Sequence, residues 1–178
     1  VKIAISGKSG CGNTSVSRIV ADKLGYSMIN YTFRSMAEEA SIPFKEFCAL
    51  AENDDNYDIQ LDKAQVAMAS VGDCVLGSRL AIWMLKDADL KIYMYAEPEV
   101  RVQRIERREK KPFDVILQET LDRDAKDSAR YLRIYGIDTN DYLFVDLVLN
   151  TNELDQFQAA DKIIEKVEEF LKAIHASG

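Results

Sequence analysis

The sequence predicts an α/β domain organised around a parallel sheet. Three observations carry that prediction. Five short apolar runs recur along the chain, separated by segments whose apolar residues fall at helical spacing. The first run ends in a glycine-rich turn that opens directly onto a helical segment. The length of 178 residues suits one domain with room for small insertions, and 47% apolar with 30% charged residues is a globular balance. A domain of this size hides about 70% of its unfolded surface, so a real core is expected.

Taken in order, residues 2–6 are apolar and β-branched and read as a buried strand. Residues 14–24 read as a helix, with Val16, Ile19, Val20 and Leu24 on one side and Gly25 as the stop. "YSMIN" (26–30) is a second strand. Residues 32–52 look helical with an interruption near Pro43, and 54–71 look helical again. "DCVLGSR" (73–79) contains a third strand, and "LAIWML" starts a short helix. "LKIYMYA" (90–96) is a fourth strand, bounded by Pro98. A basic helix follows at 99–109, then a longer one at 113–135 that ends at Gly136. "YLFVDLVLNT" (142–151) holds a fifth strand. Residues 155–175 form an amphipathic helix, with Phe157, Ile163, Ile164, Val167, Phe170, Leu171 and Ile174 on its apolar side. Alternation of this kind implies right-handed crossovers within a single sheet. No repeat, linker or low-complexity segment interrupts it.

Composition excludes several classes of function. A net charge of −7 argues against general affinity for nucleic acid. No apolar run approaches the roughly 18 residues of a membrane span. The opening "VKIAIS" is too short and too strand-like for a signal peptide. Cys11, Cys48 and Cys74 are odd in number and lack CxxC spacing, so a reduced, cytoplasmic setting is expected. His175 is the lone histidine, which leaves little material for a zinc site or a histidine-based triad.

"GKSGCGNT" (7–14) matches the phosphate-loop pattern G-x-x-x-x-G-K-[ST] at every position but one, Asn13 standing where the pattern has lysine. Gly7, Gly10 and Gly12 allow backbone conformations that let amides converge on phosphate oxygens. The amides from Ser9 through Cys11, Asn13 and Thr14 to Ser15, with the helix start behind them, then form an anion site. The Thr14 hydroxyl is placed for Mg²⁺. The alternative is a tight strand–helix turn of a Rossmann-like protein. Lysine at the thirteenth position would put charge on the β/γ-phosphates, and asparagine supplies only a neutral donor. Lys8 is a candidate substitute, and its position locally resembles the signature lysine of ParA-like ATPases. Its other reading is a solvated loop lysine.

Arginines mark the ends of the strand runs. Arg34 follows the second, Arg79 the third, and the basic helix offers Arg101, Arg104, Arg107 and Arg108. "LDRDAKDSARYLRIYGID" then supplies Arg123, Asp127 and Arg130, whose spacings of four and three share one helix face. In an acidic chain this suggests several phosphates to hold at the carboxyl edge of the sheet. Surface charge accounts for Arg18, Arg101 and Arg107, and accounts poorly for Arg34 and Arg79.

Taken together, the chain resembles the cytidylate kinases in their short, archaeal-type form. The likeness spans nearly the whole length and rests on the phosphate loop, "FR" at 33–34, "LDKAQ" at 61–65, "VLGSRLAIW" at 75–83, the arginines near 104–108, "RD......RYLRIYGID" at 123–138 and "DLVLNT" at 146–151. The resemblance implies a P-loop nucleoside monophosphate kinase fold: a five-stranded parallel sheet flanked by helices, a helical insertion at about 31–70 for the monophosphate, and a helical lid at about 111–135. It implies ATP and Mg²⁺ as cofactors and CMP or dCMP as acceptor. By the same resemblance Arg34 and Arg79 hold the monophosphate, and Arg123 and Arg130 reach the transferring group. Asp127 is tied to nucleotide recognition or orients those arginines. Arg104 and Arg108 border the ATP, and Asn150 and Thr151 lie near the adenine.

Three positions depart from the family pattern: Asn13 in the loop, Gly77 and Ser78 where "EG" usually precedes the arginine, and Asn30–Tyr31–Thr32 before "FR". They leave two other readings open, a nucleotide-binding module that does not turn over and a kinase for another small phosphate acceptor. Nothing in the sequence sets an oligomeric state.

Overall fold

The computed structural model describes residues 1–176, with the backbone alone for 108 and 109. Five strands form: β1 (Lys2–Gly7), β2 (Ser27–Ile29), β3 (Cys74–Gly77), β4 (Leu90–Tyr95) and β5 (Leu147–Asn150). They make one sheet in the order β2-β3-β1-β4-β5, and every pair is parallel. The helices between and after them are α1 (Asn13–Leu24), α2 (Phe33–Glu39), α3 (Phe44–Ala51), α4 (Asn56–Ala69), α5 (Ala81–Met84), α6 (Pro98–Glu109), α7 (Phe113–Tyr135) and α8 (Gln156–Ala176).

The near-continuous apolar strands are explained by burial on both faces. Ile3, Ile5, Val75, Ile92 and Met94 point to the side covered by α1 and α8. Their alternate neighbours Ala4, Cys74, Leu76 and Tyr93 point to the side that holds Ala69 of α4 and Ala81 and Ile82 of α5. On α8 the deeply buried stripe is Ala159, Ala160, Ile163 and Val167, and it packs against α1. Here the structure corrects the expected apolar side: Phe157 and Ile174 are 56% and 49% exposed. Ile174 falls outside the packed cluster, and Phe157 instead faces a cavity.

The chain winds from β1 to β2 and β3 on one side of the sheet and then to β4 and β5 on the other. The order therefore reverses at β1, and the crevice at a strand-order reversal is where open α/β sheets bind ligands. The glycine-rich turn between β1 and α1 sits at that crevice.

Candidate active site

The turn at the end of β1 has the geometry of an anion-binding loop. Gly10 and Gly12 adopt φ of 85° and 94°, left-handed values that side-chain-bearing residues rarely reach. Gly10 must also lack a side chain, because a Cβ there would lie 2.9 Å from the Cβ of Arg101. The Cys11 N–H donates to Lys8 O at 3.1 Å, and Gly12 leads into the first turn of α1.

Asn13 has a structural occupation. Its side-chain amide donates to Gly7 O at 2.6 Å and so ties the two ends of the loop together. Its Oδ1 is buried without a partner among the described residues. Lys8 faces the cavity, and its ammonium has neither a hydrogen bond nor an ion pair among the described residues. The second departure also has a steric reason. A Cβ at Gly77 would lie 2.7 Å from the Cβ of Ser17, a fully buried α1 residue, and closer still to its hydroxyl. A carboxylate at position 77 does not fit beside Ser17. In the third, Thr32 caps α2: its hydroxyl accepts from Ser35 N at 3.3 Å, and the Ser35 hydroxyl accepts from Thr32 N at 3.2 Å.

The loop forms one wall of a cavity of about 1070 Å³. That is at the upper end for one small ligand and has room for two nucleotides. Asn30–Phe33 and Asp58, Asp62 and Gln65 of α4 form the opposite wall. Arg79, Arg104, Arg107, Arg130 and the 151–157 segment complete it. Arg104 donates to Gly10 O and Leu154 O, both at 3.4 Å, to Thr151 Oγ1 at 3.1 Å and to Thr151 O, which joins the loop to the turn beyond β5.

A charged chain runs behind the cavity lining and joins three of its residues, Arg79, Arg130 and Asp58, through Asp127. Asp127 pairs with Arg79 on one oxygen and with Arg130 on the other, the latter at 3.2 Å. Arg130 reaches on to Asp58 of α4 at 3.4 Å. Two further bridges join the same helices, Arg133 to Asp55 at 2.6 Å and the Tyr135 hydroxyl to Asp62 at 2.6 Å. Asp55 is the N-cap residue of α4, and Asp58 and Asp62 follow at spacings of three and four, so three contacts clasp that end of the helix to the end of α7.

Burial raises the Asp62 carboxyl to about 6, against the opposing Tyr135 hydrogen bond and with a smaller push from Asp58. In the unfolded chain an aspartate ionises near its ordinary value of about 3.9. Between these values the folded state holds the extra proton, so stability falls as pH rises, by roughly 3 kcal/mol across the interval. Asp62→Asn is therefore expected to melt several degrees above the parent at pH 7.5 and to lose that advantage at pH 4. Thermal denaturation at the two pH values checks it.

Of the predicted site residues, Lys8 through Ser15, Arg79, Arg104 and Arg130 all face this cavity. Five do not in this conformation: Gly7 and Asn150, the last residues of β1 and β5, and the side chains of Arg34, Arg123 and Asp127. Arg34 is exposed and lies over the Phe44 ring, 4.3 Å from its centroid. Arg123 donates to the Ser9 hydroxyl at 3.3 Å, and Asp127 is taken up by its two arginines. The Arg108 side chain lies outside the described residues. The surface-charge reading of Arg101 is overturned: it is 2% exposed. Its guanidinium holds Asp124 through two bonds of 3.2 and 2.6 Å and donates to Ser9 O at 3.0 Å, which fastens the phosphate loop to α7. Its place one turn before the buried Ile105 was the available signal. Asp58, Asp62, Gln65 and Tyr135 were also missed as site residues, although "LDKAQ" stood out as a motif.

A glycine-rich phosphate loop at the switch point of a five-stranded parallel sheet defines the class as a P-loop protein with the fold of small kinases. Solved structures agree on that fold. Shikimate kinase from Bacteroides thetaiotaomicron superposes with a TM-score of 0.64 at 15% identity, over 97% of this chain and 98% of that one. Deoxyadenosine kinase from M. mycoides superposes with a TM-score of 0.55 at 17% identity, over 94% and 100%. Sequence narrows the class: residues 2–153 match the cytidylate kinase-like family. Cytidylate kinase 2 of Borreliella afzelii is 44% identical over 94% of this chain and 97% of its own length. Cytidylate kinase of Archaeoglobus fulgidus is 37% identical over 94% and 95%. The chain belongs to the cytidylate kinase-like family.

Proposed function

We propose that this protein transfers the γ-phosphoryl group of ATP to CMP or dCMP, giving ADP and CDP or dCDP. The observation that carries the reading is one cavity in which the phosphate loop of a cytidylate kinase-like chain faces Arg79 and Arg130. An oxygen of the monophosphate attacks the γ-phosphorus, and the bond from that phosphorus to the β,γ-bridging oxygen breaks. The attacking oxygen is already anionic, so positioning and charge stabilisation dominate and no strong base is needed.

In this reading the loop amides and Lys8 hold the ATP phosphates, and Arg104 with Thr151 lies at the base end. Arg79 binds the monophosphate, and Arg130 stabilises charge on the group in transit. Arg34 and Arg123 join after rotating from Phe44 and Ser9. Segment 31–70 serves as the monophosphate-binding insertion and 111–135 as a lid, with the remainder as core. The donor set fits Mg²⁺: Thr14 faces the cavity, and no group of three metal-type side chains gathers among the described residues. Mg²⁺ commonly takes few protein ligands and completes its shell with phosphates and water, so Thr14 would hold it. When bound, it would neutralise phosphate charge. The three cysteines are free, which suits a reducing cytoplasm.

Asn13 supports a second reading, a module that binds nucleotides without turnover, since its amide is committed to Gly7 O. A coupled ADP-release assay with Mg-ATP and CMP, dCMP, UMP or AMP separates the two. Turnover is expected to be greatest on CMP or dCMP. Nucleotide binding with no turnover on any acceptor would sink the kinase reading.

A further inference from the structure

The α4 wall of the cavity carries an acceptor-rich face to which no role toward the substrate has been given. Asp58, Asp62 and Gln65 are 5%, 8% and 7% exposed, yet all three line the cavity. The Asp58 carboxylate accepts no hydrogen bond among the described residues, and its cationic partner there is Arg130. That pairing marks the phosphate end of the wall. Asp62 stands one turn further along the helix, about 6 Å away, and Gln65 nearly one turn beyond it. This offset suits the step from a nucleotide's phosphate to its base. Hydrogen bonds set the orientations: Tyr135, which does not line the cavity, occupies one Asp62 oxygen at 2.6 Å. Gln65 Nε2 donates to Tyr31 O at 2.8 Å, which leaves its carbonyl oxygen as an acceptor.

We propose that Asp62, with the Gln65 carbonyl as its neighbour, accepts the 4-amino group of cytosine and so separates cytidine from uridine monophosphate. Cytosine presents an amino donor at that position, whereas uracil presents a carbonyl acceptor. A buried pair of acceptors satisfies the first and repels the second. Sites built to bond a group of the substrate reject analogues that cannot supply it. Ionised Asp62 destabilises the free protein at neutral pH, and a bound amino group supplies the donor that this carboxylate lacks. The proposal rests on the kinase reading above and adds the residue that reads the base.

The test measures kcat/KM for CMP and UMP on the parent, Asp62→Asn and Tyr135→Phe, with thermal melts to establish folding. Asp62→Asn is expected to lower the CMP/UMP ratio by about tenfold or more, with the KM for CMP rising and that for UMP falling. Tyr135→Phe is expected to keep the parent ratio, because the acceptor remains. An unchanged ratio in folded Asp62→Asn, or an equal loss in Tyr135→Phe, would overturn the assignment. If the parent transfers to neither nucleotide, the kinase reading fails separately and calorimetric binding of CMP and UMP decides. A CMP preference lost in Asp62→Asn supports the assignment, and one retained refutes it.

Discussion

Replacing Lys8 with alanine is expected to lower kcat for phosphoryl transfer by about 10²–10³-fold, the loss typical of removing one preorganised group that faces developing charge. Lys8 faces the cavity with its ammonium uncommitted to any described residue, so it is free to meet a triphosphate. Asn13, at the usual lysine position, has its amide on Gly7 O at 2.6 Å. Asn13→Ala should therefore act mainly on the loop's conformation, at a cost of about 1 kcal/mol for the lost hydrogen bond, and reduce kcat far less than Lys8→Ala. Steady-state rates at saturating ATP and CMP, with a melt for each variant, give the comparison. If Lys8→Ala turned over like the parent, the loop would have to work through its amides and the arginines alone.

Arg130→Met is expected to be the most damaging single change in the cavity. Arg130 is the cation shared by Asp58 and Asp127, at 3.4 and 3.2 Å, and it lies over the Tyr131 ring, 5.1 Å from the centroid. Without it, Asp58 becomes a buried carboxylate lacking its counter-charge, a loss of about 3 kcal/mol in stability. Transfer should fall by about 10³-fold with the loss of charge at the moving phosphoryl group. The pH dependence has a definite sign. Burial already raises the Asp58 carboxyl, and Arg130 holds it down. Removing Arg130 raises it further, so the folded variant holds a proton that the unfolded chain has released, and stability falls as pH rises. The deficit should be largest near neutral pH and shrink toward pH 4. Arg130→Lys restores the charge and most of the stability, but kcat should stay at least about tenfold low because an ammonium lacks the guanidinium fork. Denaturant melts at the two pH values, with kcat for each variant, check both halves. Full activity in a folded Arg130→Met protein would remove this residue from the reaction.

The positions just discussed were legible to different degrees. The loop was plain in "GKSGCGNT" because its geometry is local: glycines, a strand before and a helix after. The strands were plain for the same reason, since burial on both faces leaves uninterrupted apolar runs. Arg101 was misread because a helix of alternating charge does not show which arginine faces inward. Its partner Asp124 lies 23 residues on, and burial became tolerable only when that carboxylate arrived. Gly77 read as a missing carboxylate, whereas Ser17 of α1 occupies the space such a side chain would need. Arg34 was read as a phosphate ligand from its place after the second strand, whereas in the fold its guanidinium lies over Phe44 at the start of the next helix and does not line the cavity.

The sequence by itself determined the order of elements, the parallel sheet, the phosphate loop and the family. All of these follow from short-range patterns or from residue identity at fixed spacing. The tertiary structure alone decided which charges are buried and with whom. Asp62 meets Tyr135 across 73 positions, and Arg79 meets Asp127 across 48. Desolvation and ion pairing depend on atoms that the fold brings in from distant segments. An aspartate on an ordinary-looking helix could therefore become a buried acceptor on the cavity wall only once α7 had packed against α4.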